Sequence, residues 1–235
     1  MYVNYSLLIA SHVISFTPGI LITIYFLYTR SILLVISMIS SFYFIVSLFV
    51  AAIIYNTLQY ILPLSPTIYV SVSAIIQELF RYILLKSYNY FYQIITNSDN
   101  DSKLKLSSRI SAICCGHGIG LMHIFIIFGS SLNKYNNEEG DFFINECQYM
   151  PYQLLVSINC LFFYILDIML MILAFTTNKT REKNNNIFIW FIICLIHFFS
   201  ALSTTMNLNQ DGCIISSTFL FFIISVVIVP VSHIF

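Results

Sequence analysis

The sequence predicts an all-α polytopic membrane protein, a single domain over residues 1–235 built as a bundle of seven transmembrane helices. Three observations predict it. The chain is 59% hydrophobic and 9% charged, where soluble domains carry about 25% charged residues. Seven apolar segments, roughly 5–28, 32–56, 67–86, 109–131, 151–176, 187–206 and 213–234, are each long enough to cross a bilayer at about 1.5 Å of rise per residue. Basic residues gather on alternate connections between them.

Span one has nothing basic ahead of its apolar stretch and Arg30 behind it, which is not the order of a secretory signal peptide. That order predicts a translocated N-terminus and entry into an endomembrane system. The Thr29-Arg30 break is so short that spans one and two form a tight antiparallel hairpin. Span two stops before Leu62-Pro63-Leu64-Ser65-Pro66, and span three before the Asn/Asp/Ser/Lys stretch 96–108. The acidic stretch 133–149 divides spans four and five, Asn178 to Asn186 divides five and six, and Asn207 to Gly212 divides six and seven.

Arg30, Lys103, Lys105, Arg109, Lys179, Arg181 and Lys183 fall in or beside the first, third and fifth connections, whereas Lys134 stands on the other side. Excess Lys and Arg marks the cytoplasmic side. The N-terminus is therefore expected to be lumenal or extracellular and the C-terminus cytoplasmic, with Glu138, Glu139, Asp141, Glu146 and Asp211 lumenal. A formal net charge of zero argues against nucleic acid as the main partner; the expected surrounding is the lipid bilayer. Lys86 can snorkel to the cytoplasmic interface.

Six cysteines are too few for a disulfide scaffold. Cys114, Cys115, Cys160 and Cys194 sit within spans and read as small apolar fillers. Cys147 and Cys213 both fall on the lumenal side, where a disulfide is chemically allowed. No CxxC or Cys/His spacing suggests zinc, and no cofactor is implied. Asn4-Tyr5-Ser6 is a glycosylation sequon close to the membrane.

Ionisable residues inside the spans are the candidate functional groups, because charges in hydrocarbon are costly and usually face protein or trapped water. Span three carries Ser71, Ala74, Glu78, Arg81 and Leu85 on one face, three or four apart. Glu78 and Arg81 are either an intrahelical pair stabilising one buried contact or part of a larger cluster. Span four carries Gly116 and Gly120, a GxxxG surface that admits another backbone; His117 and Gly118 point elsewhere. Counting inward from the cytoplasmic ends puts Glu78 at ~11 Å, Asp167 at ~14 Å and His197 at ~15 Å. These residues are expected to form one polar layer with Arg81, joining spans three, five and six. The same count puts His123 outside it, at ~21 Å. His197 continues into Ser200, Ala201 and Thr204, again a small and polar face.

At these residues the chain resembles the anterior-pharynx-defective (Aph) subunit of γ-secretase. Gln77-Glu78-Leu79-Phe80-Arg81 is similar to that family's Gln-Glu-aliphatic-Phe-Arg in span three. Phe16-Thr17-Pro18 resembles its Phe-x-Pro in span one, and Phe42-Tyr43-Phe44-Ile45-Val46-Ser47-Leu48 its aromatic-to-Val-Ser-Leu run in span two. Arg109, Gly116 and Gly120 resemble the start of its span-four glycine motif; His197 with Asn207 resembles its span-six spacing. Three departures stand out. Ile124 occupies the third glycine position, which implies looser or shifted packing there. Asp167 best matches the family's span-five histidine, where it could bond His197 directly. The family's tail after span seven has no counterpart here, so contacts made by that tail are not carried over.

The resemblance implies a non-catalytic scaffold that assembles with nicastrin, then presenilin, then the presenilin enhancer subunit. It also implies a part in proteolysis of single-span membrane proteins, including Notch-type signalling, in endoplasmic reticulum, Golgi, plasma membrane or endosomes. Presenilin's Gly-x-Gly-Asp signature is absent, and Asp167 is the one aspartate within a span. Two rival classes use the same residues. A CAAX-type intramembrane peptidase would take Glu78 as general base with His197, although Gln77 replaces a second glutamate. A proton-coupled carrier would relay protons through Glu78, Asp167 and His197, although no internal repeat is visible.

Overall fold

The computed structural model describes residues 5–28, 30–61, 65–98, 107–137, 147, 150–177 and 183–232. Asn4, Lys103, Lys105, Glu138, Glu139, Asp141, Glu146, Lys179 and Arg181 lie outside the described residues. Backbone polar groups in hydrocarbon must find partners within the chain. Apolar stretches of this length satisfy them as helices: α1 Tyr5–Ile22, α2 Ser31–Ile61, α3 Pro66–Ser98, α4 Ser108–Asn137, α5 Tyr152–Thr176, α6 Lys183–Ser203 and α7 Gly212–Ser232. All seven are long and apolar enough to cross a membrane, as the composition predicts.

Several helices outrun their expected spans. The sequence reading stops span three near Lys86, yet α3 continues to Ser98. No Gly or Pro interrupts residues 86–98, so the polar side chains there change the surroundings without ending the helix. Its 33 residues span about 50 Å, beyond a ~30 Å hydrocarbon core. Lys86 is exposed, and its Nζ lies 5.4 Å from the centre of the Tyr82 ring. At the end of α1, five residues beyond Pro18, the backbone widens into a π-turn over Thr23–Leu27.

α5 is the central helix. Two thirds of its span (67%) is buried, against 17% for α1 and 28% for α7. It packs chiefly on α4, and also on α1 and α7; α2 packs on α4 and α3, and α3 on α6. The α4–α5 approach is set by glycine. A Cβ on Gly116 would sit 2.5 Å from Ile168 Cα, and one on Gly120 would sit 2.7 Å from Tyr164 Cδ2. Gly118, on the other side of α4, meets α2 as closely: a Cβ there would collide with Ser37 O and Ser40 Oγ. Ser41 Oγ donates to Gly118 O at 2.9 Å across the same contact.

At Ile124, where looser or shifted packing is expected, the side chain is buried. The antiparallel register that sets 116 beside 168 and 120 beside 164 sets 124 beside Cys160. Both are fully buried in one cluster with Phe128, Val156 and Tyr164, so a small residue on α5 receives the larger one on α4. Cys114 and Cys115 are buried as fillers, but Cys194 is exposed on the outer face of α6. At the end opposite Arg30, Cys147 and Cys213 are joined in a disulfide with Cα atoms 6.0 Å apart. The α6–α7 turn is tight there: Asp211 has φ 59°, and a Cβ on Gly212 would strike Met206 O.

Candidate functional site: a buried ion network

On α3, the three-residue step puts Glu78 and Arg81 on one face, and Arg81 Nε donates to Glu78 Oε1 at 3.0 Å. The guanidinium then reaches α5, where its terminal nitrogens donate to Asp167 Oδ1 at 2.8 Å and to Asp167 O at 3.3 Å. On α6, His197 Nδ1 donates to Glu78 Oε1 at 2.5 Å. On α4, His123 Nδ1 donates to Asp167 Oδ2 at 2.9 Å. The result is one chain, His197–Glu78–Arg81–Asp167–His123, tying four helices. Glu78, Arg81, Asp167 and His197 are each 2–4% exposed. The Glu78–Arg81 pair therefore faces its own bundle, and is more than an intrahelical contact.

The geometry departs from the sequence expectation at two points. Asp167 and His197 share no direct hydrogen bond: Arg81 stands on Asp167 Oδ1 and His123 on Oδ2, while His197 is taken by Glu78. His123, placed outside the layer by depth, belongs to it. Helical side chains tilt toward their own N-terminus, which on α4 is toward the layer. The tilt and the length of the imidazole close the ~7 Å implied by the rise per residue. The rest of the predicted α3 face, Ala74 and Leu85, is buried, whereas Ser71 is half-buried.

Two carboxylates face a single guanidinium, so with both histidines neutral the network carries one negative charge. One proton on either imidazole would bring it to zero. Glu78 Oε2 is buried without a hydrogen-bond partner. A cavity of about 240 Å³ lies beside the two histidines, lined by His123, His197, Ser73, Gln77 and Thr204 among apolar side chains.

A second polar link ties α1 to α4 and α5. Thr23 Oγ1 donates to Gly19 O at 2.9 Å and pairs with His117 Nε2 at 3.0 Å. His117 Nδ1 pairs with Tyr164 OH at 2.7 Å. Because the Thr23 proton is taken, Nε2 is the donor and Nδ1 accepts from the phenol. The sequence pattern gives no sign of Thr23 or Tyr164, and it puts His117 off the Gly116–Gly120 face. The signal was the histidine itself: an imidazole inside a span needs partners. Among the described residues, no group of three or more His, Cys, Asp or Glu is arranged to hold a metal.

These features define a seven-span membrane protein whose interior is crossed by a charge network that is buried except at its His123 end. The chain belongs to the Aph-1 family, whose model, described as Aph-1 protein, matches residues 7–234. A relative from Arabidopsis thaliana, "Gamma-secretase subunit APH1-like", is 26% identical over 161 residues. That alignment covers 67% of this chain and 62% of the relative, less than two thirds of the relative's length.

Proposed function

We propose that the chain is a non-catalytic scaffold subunit of a γ-secretase-type complex, supporting the assembly and stability of presenilin and nicastrin, with the presenilin enhancer subunit completing the complex. The family match over nearly the whole chain carries this reading, and the plant relative is named for that complex. The network supports an architectural role. Arg81, His123 and His197 occupy three of the four carboxylate oxygens of Glu78 and Asp167, and the fourth is covered. Gly116, Gly118 and Gly120 are likewise filled by α5 and α2 of the same chain, so partners meet the outside of a pre-packed bundle. Residence in the endoplasmic reticulum, Golgi, plasma membrane or endosomes, and a role in Notch-type signalling, follow from the same reading.

The test is a mild-detergent pull-down of the tagged full chain with mass spectrometry. Recovery of presenilin and nicastrin counterparts in stoichiometric amounts is expected. Cleavage of a prenylated peptide by the purified chain alone would replace the scaffold with a CAAX-type peptidase. Proton-coupled flux in proteoliposomes that is lost in Glu78→Gln would replace it with a carrier.

A further inference from the structure

We propose that Cys147–Cys213 is a permanent structural disulfide formed in an oxidising compartment, and that it fixes the seat of α7. The inference does not depend on which complex the chain joins. Cys147 precedes α5 and Cys213 is in the first turn of α7, 66 residues apart in sequence. Their Cα separation of 6.0 Å falls in the usual range for a bridge. Both are 0% exposed and packed with Leu155 and Met150.

Forming the bond removes two protons and two electrons from two thiols. A disulfide on a thiol–disulfide oxidoreductase accepts them through a mixed disulfide and becomes a dithiol. Cytosolic thiol pools keep such pairs reduced, so the end bearing Cys147 and Cys213 faces away from the cytosol. Helix alternation then puts the Arg30, Arg109 and Lys183 end on the cytosolic side. The excess of basic residues at that end predicts the same orientation by unrelated physics.

Burial makes the bond a staple rather than a switch, because reduction needs a thiolate to reach one of the sulfurs. α7 has particular need of one. Among its described residues, the side-chain hydrogen bonds run to its own backbone, Ser225 to Phe221 O and Ser232 to Val229 O. Ser216 and Ser217 Oγ are buried without partners.

The test uses the full chain inserted into microsomes, then denatured in SDS and labelled with a maleimide polymer that shifts the gel band once per thiol. Denaturation makes the readout independent of whether a variant folds. Four adducts are expected before reduction, for Cys114, Cys115, Cys160 and Cys194, and six after it. Cys147→Ser and Cys213→Ser should each give five adducts with or without reduction. Six adducts before reduction, or a Cys213→Ser chain that still gains adducts on reduction, would overturn the bridge. A glycosylation sequon on a linker in the α4–α5 connection should be glycosylated and one in the α3–α4 connection should not; the reverse overturns the orientation. In intact microsomes a membrane-permeant thiol reductant should leave the bond closed, whereas opening as fast as in SDS would overturn the staple.

Discussion

α7 and the α3–α6 group are both packed on α5, by opposite physics. Lipid tails are as apolar as leucine, so an apolar helix gains no hydrophobic free energy by leaving lipid for protein. α7 is such a helix: its buried side chains beyond Ser216 are Leu220, Ile224, Val227 and Val231, held by shape and, at its start, by a disulfide. The α3–α6 group holds its partners through charges that cost several kcal/mol if turned toward lipid. Where the solvent is oil, polar groups specify which helix faces which, and a helix without them depends on close fit or a covalent tie.

The largest test of this contrast removes the centre of the network. Arg81→Met leaves Glu78 and Asp167 buried without their shared cation, a change expected to cost about 3–5 kcal/mol. Unfolding in SDS titrations should move accordingly. Adding Glu78→Gln and Asp167→Asn should recover part of the loss, because the stranded charges go with them. A single Arg81→Met that unfolds like the parent would mean the network is ornamental.

Cys213→Ser should come next, at about 2–4 kcal/mol, with a different distribution. Hydrogen exchange should rise in α7 while protection of α3, α4 and α5 stays as in the parent. Equal loosening in α3 would break the distinction between the two regions. Gly116→Ala follows at about 1–3 kcal/mol, since its Cβ would lie 2.5 Å from backbone Ile168 Cα and neither helix can yield cheaply. Gly129→Ala on the same helix is the control: nothing lies within 4 Å, and its effect should stay within about 1 kcal/mol.

The sequence makes the membrane class, the seven spans and four members of the network legible because each follows from local quantities: hydropathy, spacing and depth along one helix. It makes Gly116 and Gly120 legible as a packing face for the same reason. What it hides depends on the direction of a side chain or the far side of a contact. Depth counted at Cα misplaces His123, whose ring reaches back along α4. Gly118 looked idle because its partner, Ser37 O on α2, is backbone. Tyr164 was invisible because a tyrosine in an aromatic-rich chain carries no signal until His117 is seen beside it.

The smallest effect separates the two ends of the network. A double-mutant cycle on His123 and Asp167 should give coupling of about 0.6 kcal/mol, the mean for hydrogen bonds between membrane helices, and no more than about 1.7 kcal/mol. A cycle on His197 and Asp167 should give less, because those residues meet only through Glu78 and Arg81. His123→Phe and His197→Phe keep a ring and remove the hydrogen bond, so each cycle reads the polar link with little loss of packing. If His197 couples to Asp167 more strongly than His123 does, the four-helix chain gives way to a direct α5–α6 bond. α4 would then be held to α5 by its glycines and the His117–Tyr164 bond, and the network would have one fewer helix to specify.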